Sequence, residues 1–218
     1  LDFKLTHVLS LPFKKPDDEQ LNDRVRRSVL AAKSDWDSYE TSWDFTVLPL
    51  LHPGHRQSTL QAAYQQLHSH WREMMLEMQR LEEENNRIFI EAYSLQDELT
   101  PEVSLKEVTL TCNPHYRYGG DKSGEELGAQ LLADTMREFL SYAVGCMFGR
   151  YSLDNPGLVL ANQGDTLAEY LRQIPEPSFM PDEDNVIPLL DGEWFADDVT
   201  ERFRTFLRVT FGVEHYED

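Results

Sequence analysis

From Leu60 to Leu95 the chain reads LQAAYQQLHSHWREMMLEMQRLEEENNRIFIEAYSL, and this stretch decides the fold. Leu60, Tyr64, Leu67, Trp71, Met74, Met78, Leu81, Asn85, Ile88, Ala92 and Leu95 follow one another at alternating four- and three-residue steps. All but Asn85 are apolar or aromatic, the signature of a long helix packed along a coiled-coil-like seam. At 1.5 Å per residue such a helix spans roughly 55 Å, more than a small compact domain needs. Ser58 and Gln61 form the expected capping box at its start. A buried Asn on such a seam fixes register at some cost in stability, which singles out Asn85. A rod of this kind connects, spaces or clamps other parts.

Working outward toward the N-terminus, Leu1 to Lys15 reads as a short strand or extended lead that ends at Pro16. Asp17 and Asp18 are expected to cap a helix carrying Leu21, Val25, Val29, Ala32 and Trp36 on one face. Its other face shows Arg24, Arg26, Arg27 and Lys33, the only concentrated basic patch. That face reads first as solvated, with a phosphate-facing patch as the alternative. Ser42 to Pro53 is a loop whose Trp43 and Phe45 are expected to pin it to the core.

Beyond the long helix, Thr100-Pro101 closes the region and Val108 to Thr111 is expected to form a short strand. Ser123 and Glu126 make a second capping box, opening a helix that runs to about Phe148 and stops at Gly149. From Phe139 onward that helix is apolar on nearly every side, so it is expected to be central and buried. Asp165 starts a shorter helix ending before Pro175. Glu176 to Glu201 is rich in Asp and Glu, carries no Lys or Arg, and reads as a wrapping loop. The last helix has Asp197 and Asp198 at its positive end and Arg204 and Arg208 toward its negative end, with Gly212 ending it.

Composition bounds the function. The chain of 218 residues is 40% apolar and 11% aromatic, which fits a folded protein with a real core. Its net charge of -19 makes nonspecific attraction to nucleic acid or anionic lipid unfavourable for the chain as a whole. The two cysteines, Cys112 and Cys146, offer no disulfide framework and suit a reducing, cytoplasmic compartment. The longest apolar run, Phe139 to Phe148, is too short to span a bilayer, so no membrane association is expected. The chain begins at Leu1 without a methionine or a leader pattern, and is expected to be an excised piece of a longer protein.

The chemical motifs are thin. Asn113-Pro114-His115-Tyr116 echoes the Asn-Pro-Pro-Tyr tetrapeptide of amino-methylating DNA methyltransferases, whose Asn side chain and Pro carbonyl accept hydrogen bonds from the target adenine amine. Here His115 stands where the second Pro belongs. No Gly-rich strand-turn-helix lies upstream to hold a methyl donor, because Gly54 is the only glycine before Gly119. A turn built on Asn-Pro is the simpler reading. His68 and His70 point about 200° apart on a helix and cannot chelate one ion together, and no third ligand is suggested beside them or His52 and His55. Asp182 to Asp184 lacks a nuclease Lys partner, since the only matching triplet, Asp2-Phe3-Lys4, is isolated from it. Gly119-Gly120-Asp121-Lys122 lacks phosphate-loop spacing, and no serine sits on a nucleophile elbow.

Longer phrases carry a family resemblance. Leu81 to Leu95 resembles a helix end found in restriction-modification enzymes, Glu-rich and then Asn-Arg-Ile and Tyr-x-Leu. Cys112 to Gly120, Leu131 to Phe139, Val144 to Leu153, Asp182 to Leu190 and Asp191-Gly192-Glu193-Trp194-Phe195 are similar to the adenine-specific DNA methyltransferases of BREX phage-defence systems, the PglX type. The resemblance covers most of the chain from Trp43 onward. It implies a parent with an upstream methyltransferase domain that binds S-adenosylmethionine, and a following region that contributes target recognition. This chain resembles the part C-terminal to the catalytic domain, so no catalytic position carries over, and no cofactor or metal residue is assigned to it.

The expected fold is mainly α, with the long coiled-coil-like helix packed with further helices and minor short β-strands. Residues 1–53 are expected to form an N-terminal lead and basic helix, and residues 54–218 a helical spacer or scaffold domain with an acidic loop over 176–201. The function implied is a non-catalytic spacer linking methyl transfer to DNA target recognition. The alternative is an acidic protein-interaction module docking other defence-system proteins. Its partners would be the catalytic and target-recognition regions of the same parent, and DNA through that parent. Any direct contact with the DNA backbone is expected at Arg24, Arg26, Arg27, Arg117 and Lys122.

Overall fold

The structure is a computed structural model that describes residues 12–14, 16, 19–192, 195 and 197–215. Six α-helices are formed among them: α1 (Leu21–Trp36), α2 (Leu60–Tyr93), α3 (Pro114–Tyr118), α4 (Gly124–Met147), α5 (Leu167–Gln173) and α6 (Val199–Phe211). A 3-10 turn at Pro49–Leu51 precedes α2. The mainly helical fold expected from the sequence is the one observed.

Helix α2 has 34 residues, about 50 Å of rod. Its seam is a packing surface: Leu67, Trp71, Met78 and Leu81 are buried, and none of the other seam positions is exposed. The start differs from expectation. Thr59 is the N-cap, its side chain accepting from the Ala62 amide, and the Ser58–Gln61 box does not form. Thr59 stands one position closer to the first helical amide, so its hydroxyl reaches the donor three residues on. At the far end Ser94 adopts a left-handed conformation (φ 58°) and the Leu95 amide donates back to the Ile90 carbonyl.

The chain then returns along the same rod. Gln79 Nε2 donates to the Val103 carbonyl at 2.6 Å, Asn86 Nδ2 to the Pro101 carbonyl at 3.2 Å, and the Val103 amide to Glu83 Oε1 at 3.2 Å. The strand expected at Val108 to Thr111 is not formed. Val108 and Leu110 are fully buried, but the backbone is bonded locally, and the Thr111 and Cys112 amides donate to the Asp35 carboxylate at 2.5 and 2.9 Å. A side chain satisfies these donors, so no neighbouring strand is needed. The other expected extended segment, Leu1 to Lys15, and the proposed caps Asp17 and Asp18 lie almost wholly outside the described residues; Gln20 precedes α1 without a side-chain cap.

The main core gathers Leu48 and Leu50 beside the 3-10 turn, Leu67 and Trp71 of α2, Phe139 and Tyr142 of α4, and Phe206 and Phe211 of α6. Val159, Tyr170 and Ile174 form a smaller cluster with α5. Helix α4 opens with the expected Ser123–Glu126 capping box and ends at the expected place, with Phe148 as its C-cap. It is not buried all round, however. Leu140, Val144 and Phe148 stand at four-residue intervals and are 47%, 38% and 37% exposed, so the apolar half-turns face outward on one side. Gly145 shows how closely that helix is approached on another side: a Cβ there would sit 2.5 Å from the Tyr151 ring. Glu169 accepts from the Thr166 amide to open α5, and Asp198 caps α6 by accepting from the Glu201 amide at 2.8 Å. Gly212 ends α6 with φ 91°, a conformation that favours glycine.

Two expectations for the N-terminal part are reversed. Helix α1 turns Leu21, Arg24, Ser28, Ala31 and Asp35 toward α2 and the following segment, while Val25, Val29 and Trp36 are 45%, 60% and 56% exposed. The reason lies in the opposing surface. Glu77 and Glu84 of α2 receive Arg27 and Arg24, and only this orientation brings Asp35 to the Thr111 and Cys112 amides. In the following loop Phe45 is buried edge-on against Tyr142 and Tyr151, as expected of an anchor. Trp43, its expected companion, is fully exposed.

Candidate functional site

The basic candidates fall into two groups. On α1, Arg24 Nε lies 3.0 Å from Glu84 Oε2, Arg27 pairs with Glu77, and Arg80 of α2 binds both of those glutamates. Arg26 is exposed on the same helix. Arg117, on α3, lies 2.9 Å from Glu138 and 3.6 Å from Asp134, and its guanidinium stands over the Tyr39 and Tyr118 rings at 5.5 and 5.6 Å. Lys122 donates to the Tyr118 carbonyl and to Gln130 Oε1 at 3.2 and 3.1 Å and remains exposed. Arg24, Arg27 and Arg117 therefore meet carboxylates within the chain. Arg26 and Lys122 are the two whose charge is turned to solvent.

Asn113 is fully buried, and both ends of its amide are hydrogen-bonded. Its Oδ1 accepts from the His115 amide, and its Nδ2 donates to the Leu105 and Val108 carbonyls at 2.7 and 2.8 Å. It caps a five-residue helix begun by Pro114, where the sequence alone reads as a turn built on Asn-Pro. Buried at 0% exposure, that amide offers no open face to an adenine amine.

The acidic loop also uses its charge internally. Asp182 is buried, ion-paired with Arg202, and accepts from the Asp184 and Val186 amides at 3.2 and 3.1 Å. Burial works against its charge, but Arg202 and these donors outweigh it and hold the carboxyl below the usual carboxylate range. Both cysteines are buried and free. Burial pushes the Cys146 thiol up to about 12, and burial together with Asp35 pushes Cys112 higher still, so neither is primed as a nucleophile.

Two features were not assembled from the sequence. His55 lies between His52 and His70, with ring centroids 5.7 and 4.7 Å apart, along a cleft of about 560 Å³. Burial, then His70 and His52, lower the pKa of His55. Among the described residues no three His, Cys, Asp or Glu side chains are arranged to hold a metal ion. The second feature is a pocket of about 330 Å³ between the end of α1, α3 and α4, lined by Trp36, Tyr39, Glu40, Leu48, Arg117 and Glu138 among others. Burial raises the Glu138 carboxyl, Arg117 opposes that rise, and Asp134 and Glu40 add to it. Among the described residues no helix is long and apolar enough to cross a membrane.

No family model matches the chain. It is 36% identical, over 223 aligned residues that cover 100% of it and 17% of the relative, to the adenine-specific methyltransferase PglX of Lacticaseibacillus casei (strain Zhang). It is 33% identical, over 219 residues covering 100% of it and 18% of the relative, to the adenine-specific methyltransferase BrxX of Escherichia coli O9:H4 (strain HS). The chain is similar to a segment of the PglX-type methyltransferases. The expected resemblance is thereby borne out, and it extends through the N-terminal residues before Trp43. The chain spans less than a fifth of the length of either relative.

Proposed function

We propose that this segment is a non-catalytic spacer in an adenine-specific DNA methyltransferase of a BREX phage-defence system, holding the methyl-transfer region at a set distance from DNA target recognition. The observation that carries the reading is α2, a 34-residue rod with continuous packing along its seam, inside a chain matched end to end within two adenine-specific methyltransferases. Methyl donor binding then belongs to the parent's catalytic region, with S-adenosylmethionine as cofactor in the cytoplasm. DNA contact by the segment itself is confined to local patches, with Arg26 and Lys122 the best placed of the five candidates.

Calorimetry with S-adenosylmethionine and gel shifts with duplex DNA test this on the 218-residue chain. No saturable heat is expected at millimolar donor, and DNA affinity should stay at nonspecific levels of about 10⁻⁴ to 10⁻⁶ M with strong salt dependence. Micromolar donor binding would overturn the spacer reading, and nanomolar sequence-selective DNA binding would replace it with direct recognition. A second reading, a module docking other defence-system proteins, is favoured by the outward apolar face of Val25, Val29 and Trp36 on a chain of net charge -19. Capture of a defined partner protein without DNA would select it.

A further inference from the structure

The turn that leads into α2 is shaped by imidazoles whose bonding suits the neutral ring. His52 Nδ1 accepts from the Gly54 amide at 3.2 Å, and the His55 and Arg56 amides donate to the His52 carbonyl at 2.8 and 2.9 Å. The His55 ring lies against His70 of α2, with centroids 4.7 Å apart, and the His52 ring is 5.7 Å from it. His55 Nδ1 is buried and has no hydrogen-bond partner. From the same turn Arg56 donates to the Thr210 carbonyl near the end of α6, so the turn joins α2 to α6.

An imidazolium carries N–H on both ring nitrogens and accepts no hydrogen bond. Protonated His52 therefore loses the bond from the Gly54 amide, and protonated His55 holds a buried donor with nothing to receive it. Charging His55 together with His70 or His52 also sets like charges side by side. The surrounding charges do not offset this. Asp37 and Asp44, just after α1 and in the following loop, line the same cleft, but Lys33 holds both, at 2.7 and 2.6 Å. On α2, Arg72 and Glu73 follow His70, exposed and opposite in sign. Arg56, the remaining charge on the turn, is turned to α6. Burial, then His70 and His52, lower the His55 pKa, with no carboxylate opposing them.

We propose that His52, His55 and His70 form an acid-opened clasp, in which protonation releases the turn over residues 52–56 from α2 and uncovers the cleft wall at Trp71. Trp71 is 4% exposed and lines the same cleft of about 560 Å³. The folded chain binds a proton at His55 less readily than the unfolded chain does, so acid opens the clasp. Its hold is fully present above the ordinary histidine pKa of about 6.5 and is lost as pH falls from there through the lowered folded value. Release of the turn also frees Arg56 from the end of α6. The clasp stands on this turn alone and does not depend on the spacer role.

Amide hydrogen exchange of the 218-residue chain tests it, read as protection factors at about pH 7.5 and about pH 5.5 so that the intrinsic pH dependence of exchange is removed. Protection over residues 54–57 should fall at least about fivefold in acid, while residues 127–139 of α4 change less than about twofold. His70→Gln, at an exposed position, should cut that response at least about twofold, and His55→Gln combined with it should abolish the response. His68→Gln, which removes an exposed histidine of α2 outside the group, should keep it in full. An acid response below about twofold in the parent, one shared equally by residues 127–139, or one unchanged in both His70→Gln and the paired variant overturns the proposal.

Discussion

Replacing Asp35 by Ala should unfasten α1 from the segment that carries Thr111 and Cys112. The Asp35 carboxylate is 3% exposed and accepts both backbone amides, at 2.5 and 2.9 Å. Each charge-assisted bond contributes about 1.5–3 kcal/mol, and each orphaned buried amide costs about 1–3 kcal/mol. These are overlapping measures of one loss, so a total of about 3–5 kcal/mol is expected. For a domain of this size 1 kcal/mol moves the melting temperature by about 2–4 °C, which places Asp35→Ala roughly 6–20 °C below the parent. The control is Asp44→Ala, whose carboxylate is 69% exposed and pairs with Lys33 at 2.6 Å. An exposed pair of that kind contributes about 0–1 kcal/mol. Differential scanning calorimetry of both variants decides the matter. If Asp35→Ala melts within about 2 °C of Asp44→Ala, the two amides are not held by this carboxylate and the account of the missing strand fails.

Other outcomes follow from the same packing. Asn85 Oδ1 is buried without a partner, so Asn85→Leu should leave the melting temperature unchanged or raise it; a fall of several degrees in a thermal melt would show that the amide is satisfied. Trp71→Ala should cost about 3–5 kcal/mol because a 4%-exposed indole leaves a cavity, and a parent-like denaturant midpoint would mean that the seam is not a packing surface. Asp182 has a folded-state pKa below its unfolded value, so its pairing with Arg202 stabilises above the ordinary carboxylate pKa and is lost as pH falls through the lowered one. Asp182→Asn should therefore be less stable than the parent at neutral pH, with the gap closing below about pH 4. Urea melts across pH 2.5–7 check this, and a gap that is constant with pH would contradict it.

The elements most legible in the sequence were those specified by local chemistry. The seam of α2, the Ser123–Glu126 box and the Gly212 stop each follow from contacts within a few residues, and the structure keeps them. The facing of α1 was not legible in that way. Its apolar positions share one side of the helix, but its orientation is decided by Glu77 and Glu84, fifty and sixty residues away, and by amides beyond α2. Val108 to Thr111 has strand composition, yet its donors are taken by Asp35 from a distant helix. The packing of His55 between His52 and His70 was not legible, because His52 and His55 precede α2 while His70 is within it. The pocket escaped for a similar reason: Tyr39 and Glu40 follow α1 with no motif, and Arg117 and Glu138 come from two other helices.

The attachment of α1 is uneven along its length. Near its C-terminal end a buried carboxylate grips two amides, where added salt has little access. Near its N-terminal end the hold is through Arg24–Glu84 and Arg27–Glu77, partly solvated pairs subject to ionic screening. The helix is thus tethered like a flap with a stiff root and a free edge. Raising ionic strength should loosen it from the edge inward, so amide hydrogen exchange would quicken first over residues 21–27 and last at Asp35. Any surface that the outward face of Val25 and Val29 meets is then presented on a support whose compliance follows the salt concentration around it.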